Sequence, residues 1–452
     1  MNNVKPIKGF SKLSKEAKTE WLISNYFENP EKALSILKSY WHNNEDIQKL
    51  HDEFIENTLT NYYMPFGVAP NFLINGKNYC LPMAIEESSV VAAMAKAGSF
   101  WSERGGFKAK VLSTTKVGHV HFVWRGDDVV QLHKYFNRIK SLLISETDSI
   151  TANMRARGGG ILDIELIDKS NLEPNYYQIK GSFDTRDSMG ANFINTILEK
   201  WSEVFENHIG DAEEIDKDFR KVEVIMCILS NFTPDCLVRA EVSCPVSDLT
   251  EGTDLDAQKF VDNFVRAVHV AEIEPYRAVT HNKGIMNGID SMIIATGNDF
   301  RAIEACVHAY AARDGQYKSL THVEVKDGIF TFYIEIPLSL GTVGGITSLH
   351  PMVKFSNELL GKPNSRELME IVAVAGLAQN FSALRSLTTT GIQKGHMKMH
   401  LLNILNQFEA NTEEKAQIIA SFNNRVPSYQ LALEEFCRLR GITPEAYAKS
   451  KS

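Results

Sequence analysis

Over the first sixty residues, apolar positions recur at helical spacing on a polar background. Ser14 is placed to cap a helix over 15–27, and Pro30 opens a second that runs to Trp41. This segment reads as packing surface and as surface for a second subunit. The period then changes. Asn75-Gly76 between the apolar runs 72–74 and 79–81 predicts a tight hairpin. Directly after it, Pro82-Met-Ala-Ile-Glu86-Glu87-Ser-Ser89-Val-Val-Ala-Ala predicts a strand passing into a helix. Two carboxylates interrupt this otherwise apolar stretch, so one of them is expected to be enclosed.

Another pattern begins near Val111 and ends near Asn231. Strands are predicted over 117–124, 161–167, 176–184 and 222–229, and helices over 128–145 and 188–207. The order βαββαβ predicts a ferredoxin-like unit with its helices on one face of an antiparallel sheet. No Gly-x-Gly-x-x-Gly follows a strand, as a Rossmann domain would require. The acidic stretch 209–220 reads as a surface loop or a helix end. From Pro234 the earlier pattern returns with a helix over 257–273 and the stretch 276–295, where Lys283 and Asn287 stand one helical turn apart. A Gly297-Asn298-Asp299 turn puts Asp299 at the next helix start. A hairpin pairing 320–325 with 329–336, a glycine-rich loop at 341–347, an alanine-rich helix over 365–379 and a polar helical tail complete the chain.

The expected fold class is α+β. A large α/β domain (1–112 and 233–391) is interrupted by the ferredoxin-like insert (113–232) and followed by a C-terminal helical segment (392–452). A length of 452 residues suits two or three domains. The net charge of −8, with acidic and basic residues interleaved, argues against a nucleic-acid surface and for a soluble protein that meets anions at local basic points. Six cysteines, at 80, 227, 236, 244, 306 and 437, form no C-x-x-C pair, as in a reduced, cytoplasmic chain. No apolar run is long enough to span a bilayer and the N-terminus has no hydrophobic signal region, so no membrane partner is expected.

Candidate chemistry has two readings at each point. Lys283, Asn287 and Asp299 could converge on one oxygen; equally, Asp299 could be a helix cap and Lys283 a solvated charge. Glu87 could be a carboxyl held protonated by its apolar surroundings, or an acid complementing a helix dipole. Arg277 offers a fork for a carboxylate or a surface salt bridge. His396 and His400 stand four apart, but no glutamate follows His396 and no third ligand is evident, so no metal is expected. In Asp187-Ser-Met-Gly190-Ala-Asn192, a glycine near a helix start would let backbone amides approach a pyrophosphate, or would serve as a structural cap.

Taken as a string, Asn282-Lys-Gly-Ile-Met-Asn-Gly-Ile-Asp290 followed by Gly297-Asn-Asp299 resembles the active-site segment of the hydroxymethylglutaryl-coenzyme A reductases, in their soluble bacterial class II form. Four more stretches match in family order: Glu86-Glu-Ser-Ser-Val-Val-Ala-Ala, Asp187 to Asn192, Gly376-Leu-Ala-Gln379-Asn, and Ile392-Gln-Lys-Gly-His396-Met-Lys-Met-His400. The resemblance implies four-electron reduction of hydroxymethylglutaryl-coenzyme A to mevalonate and coenzyme A, using two NADH or NADPH, through a hemithioacetal and mevaldehyde. It implies catalytic roles for Glu87, Lys283, Asp299 and His396, with His396 on a mobile C-terminal flap and His400 structural. Substrate contacts would come from Ser89, Arg277, Asn287 and Gln379, and cofactor contacts from Asp187, Met189, Gly190, Asn192 and Asn231. It further implies a homodimer, or an assembly of dimers, with the active site at the interface.

Alternatives are the same enzyme run as NAD-dependent mevalonate oxidation, a related coenzyme A-dependent acyl oxidoreductase, and a non-catalytic binding protein on this scaffold. The chain departs from the family at Ser188, at Ser11, where a basic residue is expected and Lys12 or Lys8 stands nearby, and at Glu56-Asn-Thr-Leu-Thr60. Arg155, Arg157 and the glycines at 158–160 could meet a 2′-phosphate, or Asp148 a free 2′-hydroxyl; the choice stays open.

Overall fold

The computed structural model describes residues 6–389, 401–422 and 428–451. The chain forms two compact units, one up to Pro65 and one from Phe66 onward. The first consists of α1 (Lys15–Tyr26), α2 (Pro30–Ser39) and α3 (Glu45–Asp52). Each begins on a side chain that satisfies a first-turn amide: Ser14 accepts from Ala17, Asn29 from Lys32 and Asn44 from Ile47. Lys15 Nζ lies 2.8 Å from Asp52 and over the Trp41 ring, which ties α1 to α3.

The second unit opens with β1 (Phe66–Ile74), β2 (Lys77–Ala84), α4 (Val90–Ser102) and β3 (Lys108–Val111). It continues with β4 (Lys116–Trp124), α5 (Val129–Ser145), α6 (Asp148–Ala156), β5 (Gly160–Asp168), β6 (Tyr176–Asp184), α7 (Ala191–Ile209) and β7 (Val222–Leu229). Next come β8 (Leu237–Pro245), α8 (Ala257–Ile273), α9 (Pro275–Ala295), α10 (Phe300–Ala311), β9 (Thr321–Lys326), β10 (Ile329–Pro337), α11 (Pro351–Leu359) and α12 (Ser365–Thr388). Beyond a helical run at 401–407 lie α13 (Thr412–Ser421), α14 (Tyr429–Arg440) and α15 (Pro444–Lys451).

Both hairpins form where their turn dipeptides predict. Ile74 pairs with Lys77 across Asn75 and Gly76 at φ 50° and 81°, and Lys326 pairs with Ile329 across Asp327 and Gly328 at φ 52° and 76°. Positive φ at both central residues gives the twist that closes an antiparallel pair. The sheet β3-β8-β10-β9 covers the larger core, where the Phe264 ring lies 5.2–5.7 Å from Phe330, Phe332 and Phe381, edge-to-face with the first two. Through this core α9 runs against α12. A Cβ on Gly288 would stand 2.6 Å from the Ala375 carbonyl, and one on Gly376 would stand 2.9 Å from Ile289. The two glycines therefore set how closely the helices approach.

The second sheet has the order β5-β6-β4-β7, all antiparallel, and shares a core with α5 and α7 built on Phe122, Trp124, Phe183, Trp201 and Phe205. This is the predicted βαββαβ order with one element added, α6. Two further details differ from the sequence reading. α7 starts at Ala191 rather than 188, because Gly190 sits at φ 88° and its amide is taken by the Ser188 hydroxyl at 3.0 Å. The acidic stretch 209–220 is not wholly surface: it tucks Ala212 and Ile215 into the small core and contains only a short 3-10 turn, Lys217–Phe219.

Candidate active site and dinucleotide cradle

α9 is the platform for the first cluster. Pro275 occupies its first position, and the Glu274 carboxylate accepts from the amides of Tyr276 and Arg277 at 3.1 and 2.8 Å. The residues flanking Lys283 are buried and fastened. His281 Nε2 lies 2.6 Å from Thr321 Oγ1 and 3.0 Å from Ser319 Oγ. Thr321 donates on to Asn380 of α12 at 2.9 Å, and Asn282 bonds the Lys318 carbonyl and the Leu320 amide. Burial holds the His281 pKa down at about 3, with the Arg277 charge adding to it, so the ring is a neutral bolt. Sequence reasoning missed His281 and Asn282 as clamps; only their place beside Lys283 marks them.

From this platform Lys283 Nζ donates to Glu87 Oε2 at 2.7 Å, and Asn287 Nδ2 donates to the same oxygen at 3.3 Å. The spacing of one helical turn on α9 and the β2–α4 connection thus meet on one carboxylate. Ser89 begins α4 in the left-handed region, φ 73°, with no side-chain cap bond, a strained conformation for a non-glycine residue. The expectation that one carboxylate is enclosed is not met among the described residues. Glu86 is exposed, and the Glu87 and Lys283 side chains are 41% and 60% exposed.

Asp299 caps α10, accepting from the amides of Arg301 and Ala302 at 3.0 and 3.3 Å and pairing with the Arg301 guanidinium at 3.0 Å. Its bonds are on its own helix, and Lys283 pairs with Glu87 instead. Arg277 is half-buried, burial draws its pKa down, and among the described residues no carboxylate lies within ion-pair distance of its guanidinium. A desolvated cation without a counter-ion suits an incoming carboxylate. Gln379 is buried at the α9–α12 seam, where its Oε1 has no partner among the described residues. His396 and His400 lie outside the described residues. Among those described, no group of three His, Cys, Asp or Glu is placed to hold a metal ion, and no helix is long and apolar enough to cross a membrane.

The second cluster is the loop between β6 and α7. The Asp187 carboxylate accepts from the Ser365 amide at the start of α12, 2.9 Å, and its carbonyl accepts from Thr342 and Val343 at 2.8 and 3.2 Å. Gly341 fits so closely that a Cβ there would stand 2.7 Å from the Met189 nitrogen, and its own amide donates to Asn298 at 2.8 Å. A small cavity at the start of α7 is lined by Met189, Ala191, Ser230, Asn231, Ser339 and Lys116. Asn192 is exposed in the first turn of α7, which has no side-chain cap, so its amides are open to an anion. The cavity itself is about 20 Å³ and mostly apolar, so an anion would meet the open amides rather than enter it. Sequence reasoning missed Lys116 and Ser339 here. Asp148 and Arg155, the rival readers of a 2′ group, pair with each other at 2.7 Å on exposed α6, and Arg186 reaches the Gly158 carbonyl.

A ferredoxin-like sheet bearing an open helix start, joined to an α/β body that carries a lysine, a carboxylate and an amide on one point, places the chain in the α+β class. The model of the hydroxymethylglutaryl-coenzyme A reductase family matches residues 20–401. Over 371 residues the chain is 36% identical to the 3-hydroxy-3-methylglutaryl-coenzyme A reductase of Archaeoglobus fulgidus, covering 81% of this chain and 80% of that protein. Over 407 residues it is 31% identical to a probable reductase of Borreliella burgdorferi, covering 89% of each. A solved class II reductase of Streptococcus pneumoniae, bound to NADPH in open conformations, superposes with a TM-score of 0.69 at 33% identity, covering 85% of this chain and all of that one. The chain belongs to the hydroxymethylglutaryl-coenzyme A reductase family, whose members are NAD(P)H-dependent oxidoreductases.

Proposed function

We propose that this chain reduces hydroxymethylglutaryl-coenzyme A to mevalonate at the cluster where Lys283 and Asn287 meet Glu87. The observation that carries the reading is the 2.7 Å contact from Lys283 to Glu87, with Asn287 on the same oxygen. Nicotinamide supplies the hydride when bound; the chain's own groups manage charge and protons. Reducing a thioester carbonyl puts negative charge on its oxygen, and the Lys283 ammonium stabilises that charge as it develops. Glu87, in hydrogen-bond contact with the lysine, delivers the proton. Arg277 takes the free carboxylate of the hydroxymethylglutaryl group, and Ser89 and Asn287 orient it. His396 protonates the departing coenzyme A thiolate. Asp299 keeps α10 and the 297–299 turn in register.

The exposure of Glu87 and Lys283 supports a site closed by further protein, which we assign to a second subunit and the C-terminal segment 392–452. The working division is a substrate domain (1–112 and 233–391) around a cofactor domain (113–232), in a cytoplasmic homodimer. Mixing purified protein with hydroxymethylglutaryl-coenzyme A and, in parallel, NADH or NADPH tests the reading. Two cofactors oxidised per free thiol released is the expected result. No oxidation with either would overturn it.

A further inference from the structure

Lys116 opens β4 and is only 4% exposed, an unusual place for a charged end. Its Nζ donates to Thr185 Oγ1 at 2.6 Å and to the Ser188 carbonyl at 2.8 Å, and Thr185 Oγ1 itself donates to that carbonyl at 2.6 Å. The nearby carboxylates are otherwise engaged. Asp184 pairs with Arg186 and accepts from its amide, and Asp187 holds the Ser365 amide; among the described residues none lies within ion-pair distance of Lys116. Burial accordingly pushes its ammonium below the ordinary lysine range, with Asp184, Asp187 and Cys236 opposing that shift. An apolar side chain of the same length would fill this position without the desolvation cost. The cavity that Lys116 shares with Met189, Ala191 and Asn231 lies at the uncapped start of α7. An anion docked over that helix start would gain from the helix dipole and from the buried ammonium together.

The geometry points to Lys116 as a positioning residue for the anionic cofactor: it fixes the 185–190 loop through the Ser188 carbonyl and lays positive charge beneath the place where the dinucleotide's phosphates dock. The inference rests on dinucleotide use by this family, not on the identity of the acyl substrate. The test is K116M, with affinity read directly from the fluorescence of bound reduced nicotinamide, alongside steady-state kinetics and a thermal melt. Loss of one charge-assisted contact predicts a dissociation constant and a cofactor KM raised about tenfold or more. The kcat and the KM for hydroxymethylglutaryl-coenzyme A should stay near parental values. The melting temperature should hold or rise, because a buried charge is removed.

K116Q keeps a donor for the Ser188 carbonyl without the charge. It should fall between the parent and K116M, and it carries the test if K116M does not fold. Unchanged cofactor affinity in the variants overturns the proposal. So does weakened affinity accompanied by an equal rise in substrate KM and a lower melting temperature, which would mark a merely structural bolt. A parental protein that binds reduced nicotinamide without oxidising it would sink the substrate assignment and leave this inference standing.

Discussion

The two clusters are built in opposite ways. The 184–190 loop is held from three sides: by Lys116 below, by the start of α12 through Ser365, and by the 341–343 strap through the Asp187 carbonyl. Among the described residues the Glu87 cluster is held from one side. α9 beneath it is fastened by His281 and Asn282, but Glu87 and Lys283 themselves stand open. Cofactor recognition needs a preformed cradle, whereas chemistry on a thioester needs a site that opens for a large acyl-coenzyme A and then excludes water. Under the proposed function, rigidity is placed beneath the cofactor and the lysine is left open for a closing surface.

The largest expected effect that would break this contrast lies at the open cluster. Lys283→Met removes the charge without touching a fastened element, so kcat should fall by about 10²- to 10³-fold, as for the loss of an oxyanion donor. Cofactor affinity and melting temperature should be unchanged. Turnover near the parental rate would show that the 2.7 Å contact with Glu87 is only a surface ion pair.

A smaller effect belongs to the fastened loop. In Gly341→Ala the new methyl would stand 2.7 Å from the Met189 nitrogen, so backbone must move. Cofactor KM should rise about three- to tenfold, on the order of 1 kcal/mol, with substrate KM unaffected. An equal change in both constants would mean that the strap serves the whole site rather than the cradle.

The smallest effect on activity, and one seen in stability, comes from the platform. Burial holds His281 at a pKa of about 3 against an ordinary 6.5. Below pH 6.5 the unfolded chain takes up a proton that the folded chain refuses until about 3, so the stability from this residue is full above 6.5 and is lost as pH falls toward 3. Unfolding free energies from urea titrations should therefore drop between pH 6.5 and 4, by up to about 1.4 kcal/mol per pH unit, and His281→Gln should flatten that slope. An unchanged slope in the variant would place the acid sensitivity in other groups.

Much of this was legible in the chain because local rules and tertiary structure agree. Asn75-Gly76 and Asp327-Gly328 form the turns their residues demand, and Ser14, Asp128 and Asp299 cap the helices they precede. The β4 to β7 order followed from alternation alone. What was hidden depends on contacts between distant segments. α6 is short and polar, with only Thr151 and Met154 buried, so its period is too weak to stand out. Lys116 reads as any surface lysine at a strand's edge, and only its contacts 69 and 72 residues away show that it is interior.

The glycine seam between α9 and α12 has a consequence for anyone scanning variants of this chain. Gly288 and Gly376 touch neither carboxylate nor cofactor loop, yet a methyl at either would push apart the bar that carries Lys283 and the bar that carries Gln379. In a survey scored by growth or turnover, these two positions would rank with Lys283 itself, and only an assay of folded protein would reveal them as spacers.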